Sequence, residues 1–146
     1  MHGISDNLEL RYAGAAVTAG SSIDNNSSRI DMADYESVTF FTTISDSVAT
    51  GVAALTVEEN TADSDSGMAA VSGAVATATC AVNDDVNGTV LMVEYRPNGA
   101  GDRYVQAVRS STTANIAYGE VYALLKPKRL PVTQDATIQD RAYVSL

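Results

Sequence analysis

Apolar and polar residues alternate along most of this chain with a period of two. The clearest run is 36–44, where Val38, Phe40 and Ile44 fall on one side and Phe41 on the other. That period places successive side chains on opposite faces of a β-strand. The pattern predicts strands near residues 8–13, 36–44, 52–59, 68–82, 89–95, 103–109 and 116–125.

Two stretches are less regular. Residues 68–82 are rich in alanine, which also suits a helix, but Gly73, the β-branched residues and the lack of a 3.6-residue apolar stripe favour a strand. Residues 14–34 are full of turn-forming residues. We expect a loop-like or edge-strand connection there, with Ile23, Ile30 and Met32 reaching the core.

The strand pattern predicts an all-β fold. About six to eight short strands separated by turns indicate an antiparallel β-sandwich or a jelly-roll-like barrel with extended terminal arms. Residues 1–125 form a single β domain whose first seven or so residues are flexible, and residues 126–146 form an extended C-terminal arm. The turn sequences around Asn98-Gly99 and at 110–115 predict that the last three strands pair consecutively as a meander.

The arm follows an abrupt change of composition. Lys126–Val132 contains two prolines and three basic residues, which exclude a helix and oppose ladder pairing. Farther on, Ile138, Tyr143 and Leu146 are apolar enough to favour burial. Two routes remain open: a last strand that returns to its own sheet, or an arm that pairs with a neighbouring subunit by strand addition.

The charge is unevenly distributed. The net charge is −9, and residues 1–95 contain 14 acids against Arg11 and Arg29, whereas residues 96–146 contain seven bases against four acids. Opposite signs suggest electrostatic steering between copies or onto a partner. The overall acidity opposes nucleic-acid binding, and no apolar stretch is long enough for a membrane span. Cys80 is the only cysteine, so no intrachain disulfide forms, and we expect a buried thiol.

Catalytic chemistry is not evident in the sequence. His2 is the only histidine, and adjacent acids such as Glu58 and Glu59 point to opposite faces of a strand. The run Asp63–Gly67 has the alternating acids that open a calcium loop, but its glycine comes one place early and Ala74 stands where a glutamate is needed. We therefore predict no enzyme, no cofactor and no metal site.

Two segments, Ile30–Ile44 and Asp102–Val132, resemble those of small structural proteins encoded in the head-gene clusters of tailed bacteriophages. The shared features are an acidic, aromatic, V-T-F strand, a late R-Y-V strand, and an A-x-G-x-V-x-A-L-L strand that ends in a basic proline-containing motif. The likeness covers about a third of the chain and includes no reactive residue. Only Lys126–Val132 and the arm after it map onto a motif.

The resemblance implies a virion protein, made in the host cytoplasm, that decorates the outer surface of the capsid. The expected partners are the major capsid protein and further copies of the chain, as a homotrimer. The tyrosine face of the last strand and the arm are the predicted contacts. Their residues are Tyr118, Tyr122, Lys126, Pro127, Lys128, Arg129, Leu130, Pro131, Ile138, Tyr143 and Leu146.

Two alternatives remain. A head-completion or tail-tube protein forms rings and needs a long inserting loop, for which residues 60–75 are the candidate. A carbohydrate-binding, adhesin-like sandwich needs exposed aromatic platforms, and the absence of tryptophan counts against it.

Overall fold

The computed structural model describes residues 3–99 and 102–144. In this part of the chain there is one helical turn, and the rest of the regular structure is strand, so the predicted all-β class is confirmed. No helix here has the length and apolarity that a membrane crossing needs. The elements are α1 (Ile4–Asn7), β1 (Glu9–Gly14), β2 (Val17–Gly20), β3 (Asp24–Asn26), β4 (Ile30–Asp31), β5 (Tyr35–Ser47), β6 (Val52–Asn60), β7 (Ala69–Thr79), β8 (Val90–Tyr95), β9 (Tyr104–Thr112) and β10 (Ile116–Pro127).

The strands form two antiparallel sheets that pack face to face. Sheet A has the order β1-β10-β5-β8, and β2 lies beside β10 next to β1. Sheet B has the order β3-β9-β6-β7, and β4 also pairs with β9. With β1/β2 and β3/β4 taken as two interrupted strands, this is the strand order of a double-sheet jelly roll. The sandwich is confirmed, and the sheets do not close into the barrel that the sequence also allowed.

The predicted C-terminal meander is wrong. β8 pairs with β5, β9 with β6, and β10 with β1 and β5, so consecutive strands lie in alternate sheets. Gly99 does adopt a positive φ of 79°, but its loop crosses between the sheets instead of closing a hairpin. Alternation within a strand is the same whichever strand lies beside it, so the pattern could not identify the partner.

A bulge in β10 changes which side chains face the core. Tyr118 lies opposite Ile44 and Val121 opposite Thr42, so one extra residue is inserted into β10. The Thr42 hydroxyl donates to the carbonyls of Gly119 (3.2 Å) and Glu120 (3.0 Å). Tyr118 therefore faces inward and Tyr122 outward, which corrects the prediction that the two tyrosines lie on one face of the strand.

The core fills the space between the sheets with branched and small side chains. Phe40, Leu55 and Val105 are fully buried, and so is the thiol-bearing Cys80, as expected. Ile30 and Met32 are buried and Ile23 packs against the core, which confirms that the N-terminal connection reaches it. The molecule therefore needs neither a disulfide nor a large aromatic cluster to fill its interior.

Candidate interaction surfaces

The C-terminal arm, defined here as residues 128–144, runs back along its own domain. Lys126 and Pro127 still pair with Ser37 and Tyr35, so β10 continues two residues beyond Leu125. The N-terminal segment includes α1, and the arm binds it: the Val132 N–H donates to the Asp6 carbonyl (2.9 Å) and Arg141 Nη1 to the Ser5 carbonyl (2.5 Å).

The arm caps the open edge of β1. The N–H of Leu10 donates to Gln134 Oε1 (2.9 Å) and the N–H of Tyr12 to Thr137 Oγ1 (3.2 Å). Gln134 Nε2 in turn donates to the carbonyls of Ser5 (2.8 Å) and Leu8 (2.6 Å). Among the described residues, the arm after Pro127 contains no strand, so it does not return as a strand of its own sheet. Its side chains bind backbone N–H groups of β1 that a neighbouring strand would otherwise bind.

Apolar side chains of the arm cover one corner of sheet A. The Tyr143 ring lies against Gly3, where an added Cβ would approach the ring to 2.9 Å. Ile138 and Tyr143 line an apolar groove together with Ile4, Leu8, Leu10 and Leu124. Two predicted contact residues, Ile138 and Tyr143, therefore contact their own chain, although Tyr143 stays 57% exposed. The third, Leu146, lies outside the described residues.

A buried acidic group anchors the arm near its start. Glu9 is 3% exposed and accepts hydrogen bonds from Arg11 Nε (2.5 Å) and the Tyr35 hydroxyl. Arg11 also lies 3.5 Å from the Asp135 carboxylate of the arm. Burial and the hydrogen bond to Glu9 raise the pKa of Tyr35 to about 12. The network joins β1, β5 and the arm.

Asp135 holds its charge in this network. Burial alone would raise the pKa of Asp135, but hydrogen bonds from the Thr137 backbone and hydroxyl and the charge of Arg11 lower the pKa below its ordinary value. The Asp135 carboxylate accepts from the Thr137 N–H at 2.9 Å and from its hydroxyl at 2.8 Å. Asp135 therefore positions the same Thr137 that caps Tyr12.

The basic residues at the start of the arm are partly paired. Lys126 Nζ lies 2.7 Å from Glu36, and this contact lowers the pKa of the Glu36 carboxyl. Lys128 Nζ donates to the Ala33 carbonyl (2.6 Å). Arg129 is exposed, as are the neighbouring Leu130, at 58%, and Pro131. The predicted Lys126–Pro131 contacts thus lie on the surface at one end of the sandwich.

An apolar row crosses the outer face of sheet A. Tyr12, Tyr122, Phe41 and Met92 lie side by side on β1, β10, β5 and β8. The Tyr122 ring stacks on Phe41 (centroids 5.7 Å apart, 23° between planes) and meets Tyr12 edge-on at 5.7 Å. Met92 is 63% exposed. Of these four residues, the sequence predicted only Tyr122. The other three were missed because the row forms only where strands that are not consecutive in the sequence lie side by side.

Tyr118 is a large side chain that is buried for a structural reason. Tyr118 is 1% exposed and reaches from sheet A into sheet B, where its hydroxyl accepts from the Ala54 N–H (3.0 Å) and donates to the Ser110 carbonyl. Burial raises the pKa of Tyr118 to about 12. Tyr118 therefore ties the sheets together and is not the surface contact that the sequence predicted.

Arg109 lies in the same interior. It is 1% exposed and donates to the Gly119 carbonyl (2.6 Å) and to Asn25 Oδ1 (2.6 Å). Burial lowers the pKa of Arg109. Together with Thr42, Arg109 donates hydrogen bonds to backbone carbonyls at the bulge in β10, so its role is structural.

The acids of the calcium-like run are paired with an arginine. Arg29 Nε lies 2.6 Å from Asp63 and Arg29 Nη1 lies 2.5 Å from Asp65. Because Arg29 precedes β4 and the acids follow β6, the ion pairs bridge across β9, the strand between them. In residues 3–99 and 102–144, no group of three or more His, Cys, Asp or Glu residues is placed to hold a metal ion.

The fold and these surfaces define a double-sheet jelly-roll domain. Its features are an exposed apolar row and an arm folded onto one sheet edge. Comparison with protein-family models and with the curated proteins finds no match to this chain.

Proposed function

We propose that this chain is a viral structural protein that binds the outer surface of an assembled phage capsid and stabilises it. The major capsid protein is its partner, the chain acts as a homotrimer, and it has no enzymatic activity. The phage-like segments motivate this proposal. Double-sheet jelly rolls are common in viral capsid and lectin domains, which supports it by analogy of fold only.

The apolar row is the observation that carries the proposal. Exposed apolar patches on soluble domains mark sites of interaction, and aromatic residues and methionine are enriched in such interfaces. Tyr12 is 40% and Met92 63% exposed. The row lies on the outer face of sheet A, across four of its strands, which suits contact with another protein surface.

Binding of this kind stabilises a shell by mass action. A protein that binds the assembled shell, but not the free subunits, shifts the assembly equilibrium toward the shell. In a trimer, three linked contacts act together, so that each contact can be weak. No reactive group is needed for this task.

The alternatives find less support. The candidate inserting loop 60–75 is divided: Asp63 and Asp65 are held by Arg29, and residues from Ala69 onward belong to β7. For a carbohydrate site, the rings of Phe41 and Tyr122 stack on each other, which leaves less ring face for a sugar. The capsid-binding proposal uses the row as the structure presents it.

The proposal is tested by co-sedimentation of the purified chain with empty, expanded capsids of the encoding phage. Met92→Lys places a charge in the apolar row and should weaken binding about tenfold or more. Val82→Lys is the matched control, because Val82 is 67% exposed in the loop between β7 and β8, away from the row. Failure of the wild-type chain to sediment with capsids, or equal weakening by both variants, would contradict the proposal.

A further inference from the structure

β7 presents an open strand edge. Residues Val75–Thr79 pair in regular antiparallel register with Thr56–Val52 of β6. On the other side of β7, no strand pairs with it in the part of the chain that the structure describes. An unpaired edge offers a row of N–H and C=O groups to an incoming strand.

The direction of these groups follows from β6. The Ala54 N–H points toward β9, because it donates to the Tyr118 hydroxyl, which lies between Ala54 and Ser110 of β9. Backbone groups alternate along a strand, so Ala53 and Leu55 pair toward β7. Their β7 partners are Ala78 and Ala76. The outward groups therefore belong to Val75, Thr77 and Thr79, and all three residues are exposed.

The other edges are protected. β1 is capped by the arm, and β2, β3 and β4 have only four, three and two residues, with Asp31 of β4 in an ion pair with Arg103 at 2.5 Å. β8 has six residues, includes Glu94, and is followed closely by Pro97. Charges, shortness and prolines are the usual devices that prevent edge pairing. β7 has eleven residues and contains neither a charge nor a proline.

Charge indicates what kind of strand fits this edge. Residues 30–95, which contain β5 to β8, include eleven acids and no lysine or arginine. Asp63 and Asp65 precede β7 and share one partner, Arg29, whereas Asp84 and Asp85 follow β7, so the charge near its ends stays negative. A basic segment is attracted to this side of the molecule. A second copy of β7 would bring the same acids with it, so charge disfavours self-pairing.

We propose that β7 binds an extended, basic segment of another protein by strand addition along Val75–Thr79. The segment is at least about five residues long, has lysine or arginine at its ends, and lacks proline at the paired positions. The inference does not rest on the capsid-binding proposal, which uses the outer face of sheet A and not this edge.

The test uses a fluorescent, amidated peptide, Lys-Val-Thr-Val-Thr-Val-Lys, and a matched peptide with glutamate in place of both lysines. Binding is followed by anisotropy up to about 1 mM peptide, and the contacted amides by NMR. We expect the basic peptide to bind and to shift the amide signals of Val75, Thr77 and Thr79. Absence of binding, equal binding of both peptides, or shifts confined to another surface would overturn the proposal.

Thr77→Pro removes one outward N–H without breaking the β6–β7 ladder and should weaken peptide binding about tenfold. Val90→Pro is the matched control at the edge of sheet A. The Ile44 N–H donates to the carbonyl of Thr89, the residue before β8 (3.0 Å), so the neighbouring Val90 N–H faces away from β5. Binding that survives Thr77→Pro, or that is lost equally in Val90→Pro, would contradict the edge assignment.

Val75→Lys provides a second readout that leaves the backbone intact. Val75 is 47% exposed, and a lysine there should weaken the basic peptide and strengthen the acidic one. If light scattering instead shows a wild-type dimer that Thr77→Pro converts to a monomer, the edge binds a second copy and the proposed partner is wrong.

Discussion

The strands β1 and β7 lie at edges of the two sheets, and their outward backbone groups differ in whether other parts of the chain bind them. At β1 the amides of Leu10 and Tyr12 are bound by side chains of the arm. At β7 the outward groups of Val75–Thr79 have no strand beside them in the described structure. The same backbone chemistry is therefore satisfied within the chain at one edge and left available at the other.

The difference shows how an edge can be closed without adding a strand. Gln134 carries both an acceptor and two donors, so one side chain serves Leu10, Ser5 and Leu8 at once. Thr137 supplies the next acceptor along β1. Because these contacts come from side chains, the arm can be irregular and still protect the edge.

Removal of the arm should change the stability of the β1 edge more than any other substitution or truncation. A chain that ends at Pro127 keeps all of β10 but loses the caps on β1 and the apolar contacts of Ile138 and Tyr143. We expect the free energy of unfolding to fall by about 3–5 kcal/mol, from lost apolar burial and hydrogen bonds. Urea denaturation measures the loss, and sedimentation should show self-association through the uncapped edge.

A control for this truncation is a chain that ends at Tyr143, which keeps every capping contact named above. It should unfold at the same urea concentration as the full chain. An unchanged midpoint for the chain that ends at Pro127 would show that the arm does not pack on β1.

Gln134→Ala should have an intermediate effect. The substitution leaves the Leu10 N–H and the carbonyls of Ser5 and Leu8 without their partner, and water can replace part of the loss because the site is only partly buried. We expect a destabilisation of about 2 kcal/mol. Gln139→Ala, on an exposed stretch of the same arm, should change stability by less than about 0.5 kcal/mol. Equal effects of the two variants would show that Gln134 does not contribute to the cap on β1.

The sequence predicted individual strands well because alternation is local. The segment 68–82 became β7, Ala69–Thr79, despite its alanines, and the strand predicted at 36–44 became β5, Tyr35–Ser47. Pairing was not predictable in the same way. β9 is buried on both faces, at Val105 and at Gln106, which indicates a central strand, but no local pattern states which strands lie beside it.

The surfaces were harder to predict than the strands. Strict alternation along β10 would place Tyr118 and Tyr122 on the same face of the strand. Only the bulge at Gly119 puts them on opposite faces. An added Cβ at Gly119 would collide with the Thr43 hydroxyl of β5, so a larger residue there would require the Thr43 side chain to turn away. The arm was predicted to be extended, but capping by side chains depends on where Gln134 and Thr137 lie in space.

Acid should loosen the capped edge and leave the open edge unchanged, and this is the smallest of the expected effects. The pKa of Asp135 is lowered in the folded chain, so its contribution is complete above the unfolded value of about 3.9 and is lost as the pH falls through the lower folded value. Protonation weakens its bonds to Thr137 and its attraction to Arg11. Hydrogen exchange, corrected for intrinsic rates, should therefore show protection of the Tyr12 amide at pH 6 that declines below about pH 4. The outward amides of Val75 and Thr77 should be unprotected at both values. In Asp135→Asn the Tyr12 protection should no longer vary over this range, and a variation that persists would contradict the role assigned to Asp135.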